Sequence, residues 1–188
     1  MKRIIACLMA GVMLLALVGC GASGSSGSAS SAAKKDYTQI LHDARSDEDN
    51  KYEMIFTKGE DGKFTAIDGY SAEYEAGQLD DEVRSILLPL LNLEDDMYTD
   101  LAASISAMMV RSYAVAIVKP AEGKTQDVVD AMDAYVQSQQ KSMEHYLEDQ
   151  YQIASAARVA TVPTGEVVMV CCEDSDTVFE NIKKALAA

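Results

Sequence analysis

The chain has no tryptophan, and only two histidines, three phenylalanines and three prolines in 188 residues. Each shortage removes a class of chemistry or structure. Sugars are commonly held on flat aromatic faces, so the missing indole weakens a carbohydrate-binding reading, although nine tyrosines remain. His42 and His145 leave little room for Ser-His or Cys-His catalysis, and neither lies in a nucleophile-elbow or papain-like pattern. Both read as exposed helical residues. Of the four cysteines, Cys7 and Cys20 fall near the N-terminus, while Cys171 and Cys172 are neighbours. Adjacent strand residues point to opposite faces, so Cys171 and Cys172 form no bridge and read as small strand residues. No phosphate-cradling glycine loop, zinc spacing or dinucleotide fingerprint occurs. No cofactor and no catalytic set is expected.

Basic residues are the other shortage: 16 Lys and Arg stand against 30 Asp and Glu, a formal net charge of −14. Such a field repels nucleic-acid phosphates and anionic lipid head groups, which removes the electrostatic route to DNA or RNA and leaves basic partners or cations. Carboxylates are so abundant that any fold brings some pair close, and no glycosidase-like pair is assigned. The run Asp47-Glu48-Asp49-Asn50 has Asp-x-Asp spacing, but Lys51 and Tyr52 stand where an EF-hand loop needs an oxygen ligand and a glycine. It reads as a loop. Asp174 and Asp176 read as helix capping, and no metal site is expected.

What the chain does have begins at its N-terminus. Lys2 and Arg3 precede an apolar stretch from Ile4 to Val18, long enough for a signal sequence but short for a membrane-spanning helix. The stretch ends Leu17-Val18-Gly19-Cys20, with small Gly19 before the cut and the Cys20 thiol free to take lipid, and it resembles the bacterial lipobox. Residues 1–19 are therefore expected to be a lipoprotein signal peptide. Lipid on Cys20 would hold the protein to the outer face of the cytoplasmic membrane, stably, since two or more acyl chains each contribute ~0.8 kcal/mol per buried methylene. Cleavage takes Lys2 and Arg3 and no acid from the net charge of −14, leaving −16. Residues 20–33 are the lipidated cysteine and a Gly/Ser/Ala tether of ~20 Å reach. Residues 34–188 are expected to form a single globular domain.

Within that domain Tyr37, Ile40, Leu41 and Ala44 recur at helical spacing, and Tyr52–Lys58 with Lys63–Ile67 suggests a hairpin about Gly59-Glu60-Asp61-Gly62. Asp80-Asp81-Glu82 opens an apolar helical pattern that Pro89 must kink or end. Ser104–Met109 and Ser112–Lys119 read as strands, the second apolar on both faces and hence central. A long helix capped by Thr125 follows, its apolar face running from Val128 to Leu147. Arg158–Val162 and Glu166–Cys172 are strands about a Pro163-Thr164-Gly165 turn, and a last helix begins after Asp176. The expected fold class is α+β: a two-layer antiparallel sheet with helices packed on one face, in the order β-β-α-β-β-α for the C-terminal part.

The region from about Leu79 to Leu186 resembles the bacterial lipoprotein family known as domain-of-unknown-function family 4358. The resemblance rests on Ser104-Ile105-Ser106-Ala107-Met108-Met109, on the stretch from Tyr113 to Lys124, on Tyr146-Leu147-Glu148-Asp149-Gln150-Tyr151-Gln152-Ile153-Ala154, and on Gly165-Glu166-Val167-Val168-Met169-Val170. Glu148 stands where many relatives are expected to have proline. The resemblance implies a Gram-positive source and carries no catalytic residue or ligand.

The expected function is that of a membrane-anchored extracytoplasmic lipoprotein whose domain, as a monomer, binds an unknown protein, wall component or small ligand without catalysis. The alternatives are a carboxylate-based cell-envelope hydrolase or a solute-binding accessory of a transporter. Tyr146, Asp149, Gln150 and Tyr151 are the candidate partner-binding residues, because aromatic rings beside hydrogen-bonding groups are the mix enriched at recognition surfaces.

Overall fold

The computed structural model describes residues 34–75, 77–108 and 110–188. The signal peptide, Cys20 and the tether, expected over residues 1–33, lie outside the described residues. Residues 34–188 form one compact unit. Its centre is a six-stranded antiparallel sheet in the order β2-β1-β3-β4-β6-β5. The strands are β1 (Ile55–Lys58), β2 (Phe64–Ile67), β3 (Tyr98–Ile105), β4 (Ala114–Pro120), β5 (Arg158–Thr161) and β6 (Val167–Cys171).

The central position expected for the strand at Ser112–Lys119 holds: β4 pairs with β3 on one side and β6 on the other. Ala114, Ala116 and Val118 of β4 enter one apolar cluster, and Val115 and Ile117 the other. Strands apolar on both faces need cover on both faces, because exposing either would leave a broad apolar patch in water. One face is covered by α5 (Thr125–Met143), α6 (Glu148–Ser155) and the helical stretch from α3 (Gln78–Glu82) to α4 (Leu88–Leu90). The other is covered by α1 (Tyr37–Ala44) and α7 (Ser175–Ala187), through Leu41, Phe179 and Ile182. The α+β class with an antiparallel sheet is therefore observed, whereas the expected single helical face is corrected to two, giving three layers. Fully buried side chains such as Leu41 and Ile182 each contribute ~1.5–3 kcal/mol by leaving water.

Other expectations shift locally. The strand expected at Ser104–Met109 is β3, which starts at Tyr98 and ends at Ile105; its place is set by pairing with β4 from Asp100↔Lys119 to Ile105↔Ala114. Thr125 is not the cap of α5 but its first residue, and Lys124 at the cap makes no side-chain capping bond. That helix ends at Met143, so Tyr146 is exposed and Leu147 precedes α6. The run expected to be a loop at Asp47–Asn50 is part of α2 (Asp47–Tyr52), whose Ser46 cap accepts the Asp49 N–H at 3.1 Å. Its three acids sit in the first turn, where the helix dipole favours them. Between α3 and α4 the helix widens to a π-helical turn at Val83–Leu87, directly ahead of Pro89, which cannot donate to the ladder.

Candidate functional site at one end of the sheet

At one end of the sheet β2, β3 and β6 finish, β1 and β4 start, α1 ends and α7 begins. Residues far apart in sequence meet there. Lys34 stands at the opposite end, its ammonium 3.2 Å from Asp100, whose register partner is Lys119.

The connection from α1 to α2 carries Arg45, whose side chain is fully buried. Its guanidinium donates to Ser104 Oγ at 2.6 Å, Tyr113 Oη at 3.0 Å, Asn50 Oδ1 at 2.7 Å and Asp68 Oδ2 at 3.2 Å. A buried cation is tolerable only when paired and hydrogen-bonded in this way. Asp68 reaches it from a turn in which Asp68 itself has φ 62° and Gly69 φ 47°. A Cβ at Gly69 would fall 2.6 Å from Met54 N and 2.8 Å from Glu53 C, so only glycine lets the turn approach the α2–β1 connection this closely. Asp68 Oδ2 also meets His42 Nδ1 at 2.8 Å. His42 is thus tied into the Arg45 network rather than standing as a plain exposed helical residue.

Beside this network the β3–β4 loop brings in Arg111, which donates to Glu53 Oε1 at 2.6 Å and Asp49 Oδ1 at 2.8 Å and lies 4.7 Å over the Tyr113 ring. Burial pushes the Glu53 carboxyl above its ordinary value, against the pull of the Arg111 guanidinium. Arg45 and Arg111 form part of the wall of a cavity of about 520 Å³ between α1, α2 and the start of α7. Glu48, Asp49, Glu173 and Asp174 are its acidic lining, with Ser46 and Thr177 between them. Among the described residues Glu48, Glu173 and Asp174 have no ion-pair partner, so the cavity carries an excess of negative charge. Asp174 precedes α7 with φ 54° and makes no side-chain cap bond; its carbonyl accepts from Thr177 and Val178 instead. Asp174 is thus the cap residue, as expected, with no side-chain bond to the helix.

Large apolar side chains are exposed on the connections at the same end. Met108 and Val110 lie on the β3–β4 loop, Tyr146 on the turn from α5 to α6, and Tyr52 and Tyr70 beside the Asp68–Gly69 turn. The candidate residues of the α5–α6 junction are therefore in this region and divide by role. Tyr146 is 69% exposed and Asp149 is exposed, while Tyr151 is half-buried on α6. Gln150 Oε1 accepts the Ser112 N–H at 2.8 Å, fastening α6 to the foot of β4.

Elsewhere, His145 is 88% exposed, with only Glu144 at 3.9 Å. Cys171 and Cys172 are free and buried, and burial pushes both thiols up to about 12, so neither is a ready nucleophile. Among the described residues no group of three or more His, Cys, Asp or Glu is arranged to hold a metal. Sequence reasoning missed Arg45, Asp68 and Arg111. The one local signal was an arginine closing an apolar helical repeat ahead of an Asp-Gly turn.

Residues 71–172 match a family model described as Domain of unknown function (DUF4358). No curated protein and no solved structure matches the chain. The matched span contains the β3–β4 loop, Tyr146 and Gln150, and of the charged residues lining the cavity it includes only Arg111.

Proposed function

The chain belongs to the DUF4358 family, whose description carries no activity, and from that premise we propose that it is a lipoprotein of a Gram-positive envelope, anchored through Cys20 and binding a partner without catalysis. One observation carries the reading: Lys34, where residues 1–33 join the domain, and the cavity with its neighbouring exposed apolar side chains lie at opposite ends of the sheet. Attachment at Lys34 leaves the cavity end of the sheet clear of the tether and open to whatever lies outside. Tyr146 and Asp149 are the contact residues of the α5–α6 junction in this reading, and Gln150 holds their backbone in place. Cys20→Ser is expected to abolish fatty-acid labelling and to release the protein from the membrane fraction; continued labelling would refute the anchor. For binding, a photo-crosslinking residue at Val110 in intact cells is expected to give a defined adduct, and one at Glu60, near the Lys34 end, none. Adducts at Glu60 alone would refute the binding face.

A further inference from the structure

We infer that the partner of this far face is a basic polypeptide segment that also carries apolar side chains, an inference that rests on the binding reading above. The far-end cavity sets four acids against two arginines, whereas the pocket at the Lys34 end balances Lys34, Lys35 and Lys58 against Asp36, Glu60 and Asp100. At the Lys34 end Lys34, Lys58 and Lys124 are paired with Asp100, Asp95 and Asp96. At the far end the arginines are committed within the fold: Arg45 to its buried network, Arg111 to Asp49 and Glu53, and Arg158 to Asp176 and Glu180. Lys51 and Lys141 are the cations there without an ion pair among the described residues. Against them stand the unpaired Glu48, Glu173 and Asp174 in the cavity wall and the exposed Asp149.

Acidic surface alone is ordinary solvation, but here it adjoins exposed apolar groups on a single loop. Arg111 lines the cavity, and its backbone N–H bonds back to the Met108 carbonyl, so the exposed Met108 and Val110 lie on the same tight loop as a cavity-lining residue. Met108 is 61% exposed. A partner that filled the face would place ammonium or guanidinium groups against Glu48, Glu173 and Asp174 and apolar side chains against Met108, Val110 and Tyr146. Complementary potential of this kind steers encounter and selects partners, while desolvated apolar and aromatic contacts supply most of the affinity. A second copy of this chain is the wrong occupant, because two acidic faces would repel. The same sign disfavours nucleic acid and anionic lipid.

The test uses the full-length chain in neutral detergent and three labelled peptides of equal length, alternating Lys with Phe, Lys with Ser, and Glu with Phe, read by fluorescence anisotropy. The Lys/Phe peptide is expected to bind saturably and at least about tenfold more tightly than either control, and to weaken as salt screens the charges. Glu173→Gln with Asp174→Asn, and separately Tyr146→Ser, should each weaken it about tenfold. Glu60→Gln with Asp61→Asn should leave it unchanged. Tyr146 is exposed, so its variant reports on the face even where the double variant disturbs α7. Equal binding of the Glu/Phe peptide, or no effect of either far-end change, overturns the inference. A crosslinked adduct at Val110 in cells together with no binding of the Lys/Phe peptide would sink the basic partner and spare the binding reading; loss of that adduct sinks the reading itself.

Discussion

Arg45→Met removes a charge carried on a fully buried side chain while keeping a side chain of similar reach. The guanidinium holds five partners: Ser104, Tyr113, Asn50, Asp68 and the Glu53 carbonyl. Taking it away strands the Asp68 carboxylate, whose side chain is 15% exposed, and leaves the Ser104 and Tyr113 hydroxyls without a donor. Breaking a buried pair from one side costs about 3–5 kcal/mol. Asp68 keeps His42 and some water, so the lower end applies, about 3 kcal/mol. At about 2–4 °C per kcal/mol for a domain of this size the melting temperature should fall by about 6–12 °C. Urea unfolding should show the loss as a lower midpoint with an unchanged slope. Arg45→Lys keeps the charge but cannot fork across Asn50, Ser104 and Asp68, and an intermediate loss of about 1–2 kcal/mol is expected. If Arg45→Met unfolds within about 1 kcal/mol of the wild type, the network is not what holds α1 and α2 to the end of the sheet.

Two further outcomes follow from named bonds. Burial alone would raise the Glu166 carboxyl, but the Thr164 and Tyr37 hydroxyls donate to it and hold it below the ordinary value of 4.5; because the folded value is the lower one, this stabilisation is present above pH 4.5 and lost as pH falls through the folded value. In urea titrations the gap between wild type and Glu166→Gln should narrow below about pH 4.5, and a gap constant down to the acid transition would refute the assignment. Gln150→Ala should cost about 1–2 kcal/mol by orphaning the Ser112 N–H, with Asp149→Asn within about 0.5 kcal/mol of wild type; the reverse ranking would return Gln150 to the recognition surface.

Elements with a strong period of their own are legible in the amino-acid order alone. The regions of β4, β6, α5 and α7 are read directly from repeating apolar positions, since each buries a continuous face and the period is the trace of that burial. Elements whose stability comes from partners are not. β3 runs through Ala102, Ala103 and Ser104, residues of weak strand preference, and its ends are decided by the ladder with β4. α2 is entirely polar in its first turns and has no apolar face to betray it; Ser46 caps it, and Arg45 and Arg111 fasten Asn50 and Asp49. The number of layers was implicit in the two apolar faces of β4, which no single helical layer can cover. The far-end site was the least legible part, because Arg45 meets Ser104 across 59 positions and Arg111 meets Asp49 across 62. Local sequence records what a segment buries within a few turns of itself; which charges meet across the end of the sheet is decided only when the strands have paired and the loops have been brought together.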